Sequence, residues 1–322
     1  HTTCRRQRQM CIRDRLMSEV LLVDIGGTNM RYAYSKLGLT DIYESKRMSL
    51  ENLDNFNEII QSLINHKDYK VKNAVFSIAG PKISNTIKMT NRSFSANSDS
   101  IKENFLLDQC HLLNDWESIG YSLTSTPEND IKYLKQGISF NSNTLVLGPG
   151  TGLGAAFSNG GTVLPTEIGN TTNWTSALLT NFNISNDGTF LILEDIISGT
   201  GISKLYKALA GECISAEEVI KRFDKKEKNA QYVINGFISS LAHVLSDLAL
   251  AYVPGNGIFL AGGLSRTIAP LINHESFKEE FLKNKSSIHK DLLKNIKIGV
   301  ITREHTCLYG NLNYFNSINK NN

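Results

Sequence analysis

The stretch Leu21-Leu22-Val23-Asp24-Ile25-Gly26-Gly27-Thr28-Asn29-Met30-Arg31 limits the fold of this chain more than any other. An apolar run ends in a carboxylate, two glycines come next, and Arg31-Tyr32-Ala33-Tyr34-Ser35 then alternates polar and apolar residues. Such a pattern predicts strand, tight turn, strand. It excludes the Walker loop and the dinucleotide fingerprint, whose glycines both open a helix. Gly26 and Gly27 are expected to take positive φ and to bring backbone N–H groups close to an anion. Asp24, at the strand's end, is placed to hold a hydrated divalent cation, and Thr28 offers a hydroxyl. An ordinary hairpin with a Gly-Gly turn has the same pattern, so the reading needs support from elsewhere in the chain.

That support comes from a second copy of the device. Thr144-Leu145-Val146-Leu147 runs into Gly148-Pro149-Gly150-Thr151-Gly152-Leu153-Gly154 and out into Ala155-Ala156-Phe157, again with no helix directly after the turn. Gly257 to Leu264 is a third strand leading into a glycine pair, Gly262-Gly263. Two hairpins of one unusual type predict a duplicated architecture in which each half contributes a phosphate-gripping turn. A length of 322 residues fits two domains. A content of 41% hydrophobic and 20% charged residues fits a globular protein with a sizeable core. No apolar run reaches the roughly 18 residues of a membrane span.

The first sixteen residues do not match the rest of the chain and read as a non-native tail ahead of a natural start at Met17. They carry five Arg and one Asp, so the formal charge of +3 becomes −1 over residues 17–322. The basic balance is therefore an effect of the tail and gives no case for nucleic acid. Cys4 and Cys11 also lie there. Cys110, Cys213 and Cys307 remain, too far apart for metal-ligand spacing, and this scattered odd count suits a reducing cytoplasm.

Further along, a helix is expected from Asn52 to His66, and Ser98 is expected to cap a short helix around 101–106. His111-Leu112-Leu113-Asn114-Asp115 reads as a strand that delivers Asn-Asp to the head of a helix. On the residues alone, Asp115 is a helix N-cap, with Ser118 completing a poor capping box, or a carboxylate at the cleft edge of an α/β sheet. Pro165 to Asn170 reads as a loop with a buried carboxylate, Glu167. Phe190 to Ser198 reads as a helix carrying Glu194 and ended by Gly199-Thr200-Gly201. A long amphipathic helix spans Asn229 to Val253, stopped by Pro254-Gly255.

Taken together these segments resemble the bacterial glucokinase family, within the hexokinase/actin-like superfamily, over residues 20–315. Asp24 to Arg31 matches the family's first phosphate motif, Gly148 to Gly154 its second, and Leu260-Ala261-Gly262-Gly263 its adenosine motif. Met89-Thr90-Asn91, Leu113-Asn114-Asp115, Pro165-Thr166-Glu167 and Leu193 to Gly199 match the segments of its sugar site. The resemblance implies an α/β, two-domain actin-like (ribonuclease H-like) ATPase fold with an interdomain cleft. The small domain would be 17–124, completed by the C-terminal helix in 303–322, and the large domain 125–302. The implied reaction is transfer of the γ-phosphoryl of ATP, with Mg²⁺, to the 6-hydroxyl of glucose, giving glucose 6-phosphate. Asp115 would be the catalytic base, and Asn91, Asn114, Asp115, Glu167, Asn170 and Glu194 would bind the sugar. The nucleotide would be held by Val23, Asp24, Ile25, Gly26, Gly27, Thr28, Gly150, Thr151, Gly152, Gly262 and Gly263, with Asp24 reaching the metal through water. A homodimer is the assembly that the family implies.

In one place the chain departs from the family. The sugar loop of the family reads Glu-Gly-Gly-His, and here it reads Glu167-Ile168-Gly169-Asn170. Asn170 can donate and accept hydrogen bonds but cannot titrate near neutral pH as imidazole does. No other His lies between 112 and 242 to replace it. Three readings are open: a glucose kinase, a kinase for another hexose such as mannose or an amino sugar, and a sugar-binding protein without turnover.

Overall fold

The computed structural model describes residues 19–27, 29–50, 56–90 and 92–320, so the 1–16 tail, Thr28, Asn91 and the expected helix start at Asn52 lie outside the described residues. The chain forms two compact units. One takes the described residues up to Thr126 together with the chain from Glu304, and the other is Pro127–Arg303.

The first unit runs β1 (Glu19–Ile25), β2 (Asn29–Lys36), β3 (Tyr43–Ser49), α1 (Phe56–Ile64) and β4 (Val71–Ile78). A small antiparallel ribbon comes next, β5 (Lys82–Ile83), β6 (Thr86–Lys88) and β7 (Ser95–Asn97), then α2 (Ser98–Asn104), β8 (Gln109–Asn114) and α3 (Asp115–Ser122). The main sheet has the order β3-β2-β1-β4-β8, with β1 antiparallel to β2 and parallel to β4, and β4 parallel to β8. Every residue of β1 is buried, as expected of a continuous apolar strand covered on both faces. Its two faces meet different partners. Leu21, Val23 and Ile25 share a core with Phe56, Ile60 and Leu63 of α1, while Val20 and Leu22 join Ala33, Val75 and Leu113 on the opposite face.

The second unit runs β9 (Ile131–Lys135), β10 (Asn143–Pro149), β11 (Leu153–Asn159), β12 (Thr162–Thr166), α4 (Thr175–Leu179), α5 (Gly199–Ala210), α6 (Ala216–Asp224) and α7 (Lys228–Tyr252). It continues through β13 (Gly257–Leu260), α8 (Gly263–Ile268), α9 (His274–Leu282), α10 (Ser287–Asn295) and β14 (Ile298–Ile301). Its sheet has the order β12-β11-β10-β13-β14-β9. Five of those strands repeat the scheme of the first unit: an antiparallel β10–β11–β12 meander, with β13 and β14 added in parallel. By length and composition α7 could cross a membrane, but it is the core helix of this unit, with Val233, Ile234, Phe237, Leu241, Val244 and Leu245 all buried. The last helix, α11 (Thr306–Asn319), belongs to the first unit. It lays Leu308, Leu312 and Phe315 over the Val20, Leu22 and Val75 face of the sheet. Truncating either leucine to Ala would cost about 2–5 kcal/mol.

Two local expectations are corrected. Asn97, not Ser98, caps α2, its side chain accepting the N–H groups of Asp99 and Ser100 at 3.0 Å. The expected helix Phe190–Ser198 is a single 3₁₀ turn, Leu193–Asp195. There the Asp195 carboxylate accepts the N–H groups of Leu191 and Ile192, and Ser198 Oγ accepts that of Gly201. These side-chain acceptors take the place of helical carbonyls, so Gly199-Thr200-Gly201 opens α5 instead of ending a helix. The third glycine unit also differs from the other two, because Gly262-Gly263 leads into α8 and not into a strand.

Candidate active site

In the first unit the parallel strands β1, β4 and β8 end side by side, with Asp24 opposite Ser77 and Ile78 opposite Asn114. The carboxyl ends of such strands are where α/β sheets place their ligands. Asp24 is buried there. Its Oδ1 accepts Ser77 Oγ at 3.2 Å and its Oδ2 pairs with Arg31 Nη1 at 3.1 Å. Arg31 lies directly across the hairpin from Asp24, so the antiparallel register alone could have revealed this partner. Val23 and Ile25 are fully buried and can reach a ligand only through their backbone.

Contrary to expectation, neither Gly26 nor Gly27 has a φ in the left-handed region. The use of Gly27 is room, since among the described residues a Cβ there would meet nothing within 4 Å, while one on Gly26 would lie 3.5 Å from Asn29 O. The turn is closed by Gly26 N–H donating to Asn29 O at 2.9 Å.

Asp115 is not the N-cap of α3. Asn114 fills that role, accepting the N–H groups of Trp116 (2.8 Å) and Glu117 (3.3 Å), while Glu117 Oε2 accepts the Asn114 N–H at 3.2 Å. The capping box is therefore Asn114 with Glu117, and Ser118 has no part in it. Asn114 Nδ2 also donates to Gly80 O at 2.8 Å. Both acceptor positions of its amide are taken, which leaves one N–H for a ligand. Asp115 is the first helical residue, half-buried, with Oδ1 3.1 Å from the N–H of Trp116. A carboxylate at the first turn is favoured by the helix dipole. The Cys307 thiol joins the two carboxylates: burial, then the charges of Asp24 and Asp115, push its pKa well above the ordinary thiol value.

In the second unit the turn Gly150-Thr151-Gly152 is held by its neighbours. Gly150 N–H donates to Gly152 O, Gly199 N–H donates to Gly150 O (both 2.7 Å), and Thr200 Oγ1 donates to Thr151 O at 2.8 Å. Glu194 reaches into this turn, where its Oε2 accepts the Leu153 N–H at 3.1 Å. Gly152 makes space for that carboxylate, since a Cβ there would lie 2.5 Å from Glu194 Oε2, whereas a Cβ on Gly169 would first meet Leu153 O at 2.3 Å and then Glu194 Oε2 at 3.1 Å.

Glu167, expected to be buried, is exposed. Partial desolvation and the nearby Glu194 charge raise its pKa above the ordinary carboxylate value. Asn170, also exposed, closes the 3₁₀ turn Ile168–Asn170, and Thr171 O accepts the Leu193 N–H, tying this loop to the Glu194 turn. Gly262 takes φ +96 and Ala261 N–H donates to Leu147 O, which sets Gly262-Gly263 beside the end of β10. Each unit thus gathers its share of the expected residues at one end of its own sheet. Sequence reasoning missed Arg31, Ser77, Cys307 and Asn311. Only Arg31 left a local signal.

Mg²⁺ is bound through one or two carboxylates plus phosphates and waters. Asp24, whose Oδ2 pairs with Arg31 and whose Oδ1 accepts Ser77, could serve such a role through water. Among the described residues no group of three or more His, Cys, Asp or Glu could hold a metal, so the nucleotide's phosphates would supply most of the ligands.

Two units, each with a strand–glycine turn–strand at the head of a mixed sheet, define an actin-like two-domain α/β fold of the sugar-kinase class. The chain belongs to the glucokinase family, whose model, described as Glucokinase, matches residues 21–317. A glucokinase of Nostoc punctiforme is 24% identical, over 91% of this chain and 98% of that protein. The crystal structure of a glucokinase from an Antarctic psychrotroph is 26% identical with a TM-score of 0.76, over 93% of this chain and 99% of the other. That of the Balamuthia mandrillaris glucokinase in complex with glucose has the same TM-score at 20% identity, over 96% and 98% of the two chains, and so supports the fold alone.

Proposed function

We propose that this sugar kinase transfers the γ-phosphoryl group of ATP to the 6-hydroxyl of glucose, giving glucose 6-phosphate and ADP. The observation that carries the reading is the cap of α3. Asn114 caps that helix, so Asp115 becomes its first residue, directly after the carboxyl end of β8 and in the same row of strand ends that carries Asp24. Phosphoryl transfer needs positioning and charge neutralisation more than covalent chemistry.

Asp115 accepts the proton of the sugar hydroxyl. The remaining N–H of Asn114, with Asn91, Glu167, Asn170 and Glu194, holds the other hydroxyls, the carboxylates as strong acceptors. The turns at Gly26-Gly27 and Gly150-Thr151-Gly152 bind the phosphates, with Gly262-Gly263 against the adenosine. Mg²⁺, when bound, would neutralise charge on the phosphates, and Asp24 would hold it through water. Among the described residues Cys110, Cys213 and Cys307 are free thiols, which suits a reducing cytoplasm.

The test is Asp115→Asn. Turnover should fall by about 10²–10⁴-fold, the usual share of a general base, while sugar affinity holds in calorimetry. Unchanged turnover would remove Asp115 from the mechanism. Ile168 and Asn170 support a second reading, a kinase for mannose or an amino sugar, because an exposed amide stands where the family has imidazole. Comparing kcat/KM across a sugar panel by ADP release separates the two, and glucose should rank first.

A further inference from the structure

Asn311 lies in the middle of α11 and is fully buried, among apolar residues Leu308, Leu312 and Phe315 of the same buried stripe. A polar side chain in such a place costs stability unless it is bonded on all sides. It is. Its Nδ2 donates to Val23 O at 2.9 Å, with Ser77 Oγ at 3.3 Å and Val75 O at 3.4 Å also in reach. Its Oδ1 accepts Ser118 Oγ at 2.8 Å.

These partners lead to the two carboxylates of the first unit. Val23 precedes Asp24, and Ser77 bonds the Asp24 carboxylate. Ser118 lies one turn after Asp115 on α3, and its single hydroxyl proton is shared between Asn311 Oδ1 and Cys307 O, the latter at 2.7 Å. The helices touch backbone to backbone at this level, where a Cβ on Gly310 would come within 1.8 Å of Ser118 O. The Cys307 thiol completes the seam, 3.8 Å from Asp115 O.

We propose that Asn311 is a positioning residue that holds the Asp24 strand end and the helix bearing Asp115 in one fixed register. The inference rests on the kinase reading for the use of that register, but not for its existence. One amide on this seam bridges two sheet strands and one helix. If it is lost, the metal-orienting carboxylate and the base can drift independently, and small misplacements of reacting groups are costly.

The experiment uses the full chain with Asn311→Leu, Ser77→Ala and Ser118→Ala. Four readouts are taken: thermal melting, Mg·ADP affinity by calorimetry, sugar KM, and kcat. Asn311→Leu should melt cooperatively, keep sugar KM within about 2-fold, and lose roughly 10-fold in both kcat and Mg·ADP affinity, as for the loss of one or two buried hydrogen bonds. Ser77→Ala should reproduce the Mg·ADP loss and Ser118→Ala the kcat loss. A folded Asn311→Leu protein with wild-type kcat and Mg·ADP affinity overturns the proposal, whatever its melting temperature. If Asn311→Leu does not fold, the serine variants decide, and two silent serines overturn it equally. A wild-type chain that phosphorylates no sugar but binds Mg·ADP defeats the kinase reading alone, and the affinity losses in Asn311→Leu and Ser77→Ala still judge the positioning role.

Discussion

The two glycine turns come from nearly the same sequence pattern, yet they are held in opposite ways. Among the described residues, the first, at Gly26-Gly27, is closed by one backbone bond, and a side chain grown from Gly27 would meet nothing within 4 Å. The second is bonded to the start of α5 at two points, and Gly152 is glycine because the Glu194 carboxylate occupies the space. One glycine keeps room for something outside the chain, and the other keeps room for the chain itself. A motif match therefore carries over the backbone path of a turn but not its tolerance to substitution.

The largest effect that separates the turns is expected from Gly152→Ala. Its Cβ would displace Glu194 from the Leu153 N–H, and sugar affinity should fall by roughly 10–100-fold, the value of a charge-assisted hydrogen bond to a ligand. Calorimetric titration with glucose checks it, and unchanged affinity would detach Glu194 from the sugar. Next comes Gly27→Ala. Melting should stay within about 0.5 kcal/mol of wild type, as for an exposed site, while KM for ATP rises several-fold if the methyl fills the space of the proposed phosphate site. A destabilised Gly27→Ala protein would break the contrast. Third, Thr200→Ala removes the bond to Thr151 O and should cost about 0.5–1.5 kcal/mol in denaturant unfolding. No comparable bond exists among the described residues of the first turn to be removed.

The smallest effect is in pH. Glu167 has a folded pKa above its unfolded value, so the native state holds its proton more tightly, and stability from this group is lost as pH rises through the raised pKa. Glu167→Gln should flatten that slope just above the ordinary carboxylate range. Glu194→Gln should shift it toward lower pH by removing the neighbouring charge. Melting temperatures from pH 4 to 7 decide both.

The parts of the molecule legible in the sequence are those governed by local periodicity. The buried β1 run, the two hairpins, the α7 stripe and the order of the motifs needed nothing beyond spacing and residue type. What stayed hidden depended on competition between neighbours or on distant partners. Asn114 and Asp115 are both good caps, and only Glu117 placed three residues beyond Asn114 settles which one serves. The Leu193–Asp195 turn looked helical because Asp195 and Ser198 compete with backbone carbonyls in a way that periodicity does not register. Asn311 meets Val23 and Ser77 across more than two hundred residues, and a polar residue on an apolar helix face reads as a blemish until its partners are seen.

The return of α11 to the first unit also bears on how the protein is made. A ribosome delivers β1 early, but the helix that covers its Val20 and Leu22 face emerges only after all of Pro127–Arg303. At usual synthesis speeds that interval is roughly 10–35 s, during which an apolar sheet face is without its own lid. The second unit is continuous and can close as it emerges, whereas the first must wait until α11 has followed it.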